Sequence, residues 1–137
     1  MNNYILQSLN RIKEPDSILT SSDFITLQQT LKQKKYALLP SDFIDFLHLY
    51  NGLSYNGLTI CGIYPQDTYQ NILTLNQKNK HPLHKDIVFL GYNETDFLIY
   101  NQKHNVYQMI DKADLQVLEE YTTFSNTLEY ILKIEDE

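Results

Sequence analysis

The segment His81-Pro82-Leu83-His84 holds the pair of histidines that could act together in chemistry. Two imidazoles three residues apart could share a metal ion. Pro82 breaks the helix that would align the two rings, and no cluster of cysteines or carboxylates completes a tetrahedral ligand set. We therefore expect a polar loop here, and a small metal-dependent hydrolase using His81, His84 or Cys61 is kept as a remote alternative.

Cys61 is the single cysteine of the chain, which excludes an internal disulfide framework. A nucleophilic cysteine needs a nearby base and an accessible, electropositive site. Cys61 falls inside a predicted strand, and the sequence places no histidine beside it. We therefore expect this residue to serve as a small buried hydrophobic side chain.

Asp42 and Asp45 lie three positions apart on a predicted helix, so their side chains project from a similar side. Paired carboxylates can act as acid and base when their pKa values are pushed apart. Here the helix dipole accounts for Asp42 and a solvated face accounts for Asp45. The four glycines form no phosphate-binding loop. We expect no catalytic residues, no metal site, no cofactor and no enzymatic activity.

A short amphipathic helix is predicted over Ser41–Tyr50. Leu39-Pro40 is extended because proline disfavours the helical conformation of the residue before it, and Ser41 can cap the free amides. An apolar stripe runs along the helix at i, i+3, i+4 and i+7. Gly52 can end the helix because it adopts a left-handed conformation without steric cost. The stripe consists of Phe43, Phe46, Leu47 and Tyr50.

The remaining periodicity predicts helices on either side of a run of short strands. The predicted helices cover residues 3–13, a segment starting at 21, a segment through Tyr69, Ile72 and Leu75, and a last helix capped by Ser125. Strands are predicted at 58–63, 86–92, 97–101, 106–111 and 115–119, with a loop at 76–85. Short connections favour antiparallel pairing. The sequence therefore predicts a single α+β domain over 1–137, with helices packed on an antiparallel sheet of four to six strands.

The pattern of Leu39-Pro40, an acid, two aromatic residues and Asn51-Gly52 resembles the SUKH superfamily, named after yeast cell-wall regulators of the Smi and Knr type. The doubled Asn-Gly within 51–63 is most similar to its bacterial YrhA-like branch. Residues 86–91 resemble the family's strand that ends in glycine, and 124–132 resemble its closing helix. The resemblance implies an α+β SUKH fold and a bacterial immunity protein that binds and neutralises a toxin domain. The yeast relatives imply instead a regulatory scaffold that binds endogenous proteins.

The charge of the chain is unevenly placed. Residues 1–85 hold 8 Lys and Arg against 6 Asp and Glu, whereas residues 86–137 hold 3 against 11. Nucleic acid is not expected as a partner, because phosphate binding needs clustered cations. The acidic half suits a basic protein partner, with plain solubility as the alternative explanation. No apolar run could span a bilayer and no signal-peptide pattern is present, so we expect a cytoplasmic protein. We expect it to be a monomer or a homodimer.

Eleven tyrosines are a large number for a chain of 137 residues. Tyrosine suits interfaces because it combines a large apolar area with a polar tip. If loops meet at one end of the sheet, their tyrosines and acids would form an acidic, aromatic surface for a protein partner. The charge favours a basic partner, and the SUKH resemblance implies that this partner is a toxin domain. The alternative is that half or more of the tyrosines pack in the core. The predicted binding residues are Tyr55, Tyr64, Asp67, Tyr69, Tyr92, Glu94, Asp96 and Tyr100.

Overall fold

A computed structural model describes residues 3–63, 68–79, 81–83 and 85–132 of the chain. Three helices come first, a hairpin and a fourth helix follow, and four strands and a last helix complete the order. The helices are α1 (Asn3–Ile12), α2 (Ser21–Gln33), α3 (Ser41–Leu49), α4 (Ile72–Lys78) and α5 (Phe124–Ile131). The strands are β1 (Leu53–Tyr55), β2 (Leu58–Ile60), β3 (Ile87–Tyr92), β4 (Asp96–Asn101), β5 (Val106–Asp111) and β6 (Val117–Tyr121).

The six strands form one sheet in the order β1-β2-β3-β4-β5-β6, and every neighbouring pair is antiparallel. This arrangement confirms the predicted α+β class and the antiparallel sheet. Strand β1 is absent from the prediction because its three residues, Leu53, Ser54 and Tyr55, are too few to show an alternating pattern.

Short polar side chains shape the turns between the strands. The side-chain oxygens of Asn93, Asn101 and Asp111 each accept hydrogen bonds from two backbone N–H groups that follow in the chain. The β1–β2 turn uses Asn56 and Gly57, whose φ angles are 51° and 81°. Two positive φ angles at Asn-Gly suit a tight hairpin turn, because its twist matches that of the strands.

The core between the helices and the sheet is centred on aromatic rings. The ring of Phe124 on α5 lies 5.0 Å from Phe43, 5.1 Å from Phe46 and 5.3 Å from Tyr107 on β5. All four side chains are almost completely buried. Because each fully buried side chain of this size contributes about 1.5–3 kcal/mol, these contacts hold α3 and α5 firmly against β5. We call the side of the sheet that carries Tyr107 the helix face.

Strand β3 is covered along part of its edge by a side chain. Strand β2 pairs with β3 at Gly91 and Tyr92. Further along β3, the amide of Asn76 on α4 donates to the carbonyl of Phe89 at 2.9 Å and accepts from its N–H at 2.8 Å. Asn76 is fully buried, so its amide takes the place of a neighbouring strand for the backbone of Phe89.

The structure corrects several predicted helix ends. Helix α3 begins after Pro40 without a side-chain cap, so the predicted cap by Ser41 is wrong. Tyr50 is already extended, and Gly52, with φ 83°, therefore takes its positive φ three residues beyond Leu49, the last residue of the helix. Thr123 caps α5 in place of Ser125.

Helix α4 lies later in the chain than predicted. It begins after Asn71, whose side chain caps it, so Tyr69 precedes the helix, and it continues to Lys78 through part of the predicted loop. Strand β6 likewise begins and ends two residues later than its predicted range of 115–119. No helix in the described part of the chain is both long enough and apolar enough to cross a bilayer.

Candidate protein-interaction surface

Three turns meet at one end of the sheet, which we call the turn end. The register places Tyr92 opposite both Thr59 and Phe97, so the β1–β2 and β3–β4 turns lie at the same end. Asp96 is opposite Asp111, which adds the β5–β6 turn. The β4–β5 turn lies at the opposite end because antiparallel neighbours reverse direction.

Four predicted binding residues lie at or beside the turn end, namely Tyr55, Tyr92, Glu94 and Asp96. Tyr100 does not join them. It is opposite Tyr107 in the register, and its hydroxyl is 3.3 Å from Asn105 Oδ1 in the β4–β5 turn. Predicted convergence is therefore wrong for Tyr100, since its position near the end of its strand places it at the opposite end. Predicted residues Tyr64 and Asp67 lie outside the described residues.

Tyr69 and Tyr92 are each accompanied by a lysine. Lys78 Nζ lies 5.2 Å from the centre of the Tyr69 ring, and Lys112 Nζ lies 5.3 Å from that of Tyr92. Burial, and then the nearby Cys61, raise the pKa of Tyr92. Each lysine carries positive charge to an aromatic ring. These two tyrosines are thus a poorer match for a basic partner than the acidic residues of the turn end.

A groove opens between the turn end and the last turn of α5, with a volume of about 690 Å³. It runs over the helix face from β2 to β6 and is bounded by the end of α5. Three carboxylates line it, and no Lys, Arg or His of the described chain does. We call it the acidic groove, and its polar and exposed members are Asn56, Asn93, Asp96, Leu118, Glu119, Glu129 and Tyr130.

The carboxylates of this surface are not neutralised by ion pairs with described residues. Within 3–63, 68–79, 81–83 and 85–132, the one ion pair is Lys13 with Asp16, at 3.0 Å on the helical side of the molecule. Glu94 and Glu119 are exposed and Asp96 is half-buried, and none of the three has a described cation at ion-pair distance. Such a surface produces a negative potential that attracts basic partners.

Sequence reasoning missed Glu119, Glu129 and Tyr130 as members of the groove. All three lie in the acidic half of the chain, which was the available signal. Their convergence depends on α5 returning across the helix face, and spacing along the chain does not reveal that.

The paired aspartates of α3 have separate surroundings. Asp42 accepts hydrogen bonds from the hydroxyl of Tyr107 and from the N–H of Phe124, the latter at 2.7 Å. Asp45 is exposed. Burial, followed by the hydrogen bond to Asp42, raises the pKa of Tyr107. Asp42 therefore joins α3 to β5 and α5, with one carboxylate oxygen accepting from each of these two elements.

Cys61 and His81 are poorly suited to catalysis. Cys61 is fully buried, its thiol donates to the carbonyl of Tyr69 at 3.2 Å, and burial raises its pKa to about 12. A thiol that stays protonated is a weak nucleophile. His81 Nδ1 accepts from the N–H of Leu83 at 3.0 Å, and partial burial lowers its pKa. His84 lies outside the described residues, and the described ones contain no group of three His, Cys, Asp or Glu placed to hold a metal.

Comparison with known proteins supports the fold. No protein-family model matches the chain, and no curated protein matches it in sequence. A crystal structure of a protein from Pseudomonas syringae pv. tomato is similar, with a TM-score of 0.69 over 95% of this chain and 97% of that chain. The two sequences are 11% identical, so the likeness concerns the arrangement of helices and strands.

Proposed function

We propose that this chain is a non-catalytic, cytoplasmic protein-binding domain, and specifically an immunity protein of the SUKH type that binds and neutralises a basic toxin domain. The observation that carries the proposal is the acidic groove with the adjoining carboxylate of Glu94 at the turn end. Its negative charges have no described ion-pair partners, and exposed apolar side chains lie among them.

Charge and apolar area have different roles in such a complex. Carboxylates raise the rate of encounter with a basic protein, and flat aromatic or aliphatic side chains supply the affinity once water is removed. The groove offers Tyr130 and Leu118, which are 53% and 47% exposed. Exposed large apolar residues bordered by acids are typical of a surface that another protein covers.

The SUKH resemblance implies an α+β fold, and the structure is of the α+β class, with α1–α3 before the sheet and α5 after it. The scaffold alternative predicts the same surface with an endogenous partner. The hydrolase alternative is weakened by the protonated thiol of Cys61 and by the hydrogen-bonded Nδ1 of His81.

The test is charge reversal at the turn end. The cognate toxin domain would be identified from the neighbouring gene or by co-purification, and its association with the E94K/D96K variant measured by stopped flow at low salt. We expect association to slow by about tenfold or more, because electrostatic steering changes on-rates by about 10–10³. The matched control is E14K/D45K, which makes the same change in net charge at two exposed acids on the helical side.

Equal association rates for the two double variants would refute steering by the turn end. A partner captured from cells that encode no toxin would favour the scaffold function over immunity.

A further inference from the structure

Strand β6 is an open edge of the sheet. It is last in the strand order, and no strand among the described residues pairs with its outer side. Four of its five residues are exposed, including Val117 at 44% and Leu118 at 47%. An exposed edge of this kind presents unpaired backbone donors and acceptors, which can template another strand.

The direction of one backbone donor follows from the turn before β6. The carbonyl of Gln116 accepts from the N–H of Asp111 at 2.9 Å, so it points toward β5. In a trans peptide the C=O and the next N–H point in opposite directions. The N–H of Val117 therefore points away from β5, toward solvent, where an added strand would accept from it.

The side chains of β6 carry acids on both faces of the sheet. Glu119 is opposite Met109 and lies on the helix face, where it lines the acidic groove together with Glu129 and Tyr130. Glu120 is opposite Gln108 on the other face and accepts a hydrogen bond from its amide at 2.7 Å. The edge thus combines free backbone groups with negative charge.

This charge selects among possible occupants. A second copy pairing antiparallel about the middle of β6 would place Glu119 opposite its own counterpart, and like charges directly opposite are destabilising. An extended segment with Lys or Arg on one face would place its cations near Glu119 and Glu129. The exposed ring of Tyr130 adds a cation–π partner at the same point.

We propose that β6 accepts an extended, basic segment of a partner protein as a seventh strand, with a Lys or Arg side chain seated in the acidic groove. Backbone hydrogen bonds to the edge supply register, and the groove supplies the preference for a cation. This inference rests on the proposed protein-binding function and names the mode of contact.

The probe is a short, blocked peptide of alternating valine and lysine, titrated into the whole protein and followed by NMR and amide hydrogen exchange. We expect shifts in the amides of β6, slower exchange at Val117, and about tenfold weaker binding when the peptide is N-methylated at alternate positions. Loss of one effective hydrogen bond, about 1.4 kcal/mol, corresponds to that factor. This comparison uses the unmodified protein, so it does not depend on the folding of a variant.

The matched pair of variants is V117P and V117A. Proline removes the outward N–H and is tolerated at the first residue of an edge strand. Alanine keeps the N–H and removes most of the side chain. We expect V117P to weaken peptide binding about tenfold and V117A by less than about threefold, with similar unfolding temperatures.

Several results would overturn the proposal. The first is equal affinity of the peptide for V117P and V117A, and the second is no binding of the peptide at all. The others are an unchanged affinity for the N-methylated peptide and a dimer of this chain that V117P abolishes. The proposed immunity function fails separately. A toxin domain bound normally by V117P would refute the edge alone, whereas peptide bound at β6 without any toxin partner would refute immunity alone.

Discussion

Replacing Asp42 with alanine tests whether one side chain anchors the two helices to the sheet. The carboxylate accepts from the hydroxyl of Tyr107 and from the N–H of Phe124, which lie 65 and 82 residues away in the chain. D42A leaves both donors without this acceptor. An interaction with the helix dipole at the start of α3 is the alternative role for Asp42. The two roles predict different losses in the free energy of unfolding.

The expected loss follows from the two donors. An unsatisfied, partly buried donor costs about 1–3 kcal/mol, so two of them cost about 2–6 kcal/mol, and access of water to the half-buried site places the expected value near 3 kcal/mol. Loss of the dipole interaction alone would cost about 0.3–1 kcal/mol. For a domain of this size, about 3 kcal/mol lowers the unfolding temperature by roughly 10 °C.

Urea unfolding followed by circular dichroism gives the free energy of unfolding for D42A, Y107F and the double variant. We expect the Asp42–Tyr107 coupling energy to exceed about 0.5 kcal/mol, since contacting residues are not additive. The control is D45A on the same helix, an exposed acid whose loss should change stability by no more than about 0.5 kcal/mol. Equal unfolding midpoints for D42A and D45A would refute the anchoring role.

Two further substitutions probe close packing. We expect G91A to lower the free energy of unfolding in urea by about 2 kcal/mol or more, because its Cβ would lie 2.4 Å from the carbonyl oxygen of Thr59. The Cβ of G57A meets no atom within 4 Å, so this variant should lose only the cost of its positive φ, about 1 kcal/mol. Equal losses for the two variants would contradict this. Burial raises the Cys61 pKa to about 12 from its ordinary 9.0, so the unfolded state loses its proton first as pH rises. The free energy of unfolding should therefore fall as pH rises between those values, and it should fall less steeply in C61A. At neutral pH, a thiol reagent should label Cys61 only after the protein unfolds. Rapid labelling of the native protein would contradict the burial.

Much of the fold could be predicted because local signals agree with it. The aromatic stripe of α3 becomes the centre of the core, and the apolar run at 86–92 becomes the buried strand β3. Asn-Gly at 56–57 forms the β1–β2 turn with two positive φ angles, a conformation that these residue types favour. Each of these depends on side-chain period or backbone preference over a few residues, which the sequence displays directly.

Besides the shifted helix and strand ends, errors occur where residues far apart in the chain determine the surroundings of a side chain. The position of Asp42 in the first turn of α3 indicates an interaction with the helix dipole, yet Tyr107 and Phe124 determine its surroundings. Tyr100 resembles a loop-end tyrosine, yet the direction of β4 places it at the end opposite Glu94. In both cases the residues that decide the outcome lie far away in the sequence, so local patterns do not reveal them.

The order of the helices and of the strands other than β1, and the acidic second half of the chain, follow from the sequence by itself, because each depends on residue type and short spacing. Tertiary structure alone decided the acidic groove and the open edge of β6. Both require knowing which strand ends the sheet and where α5 lies against it, and these depend on contacts between residues far apart in the chain.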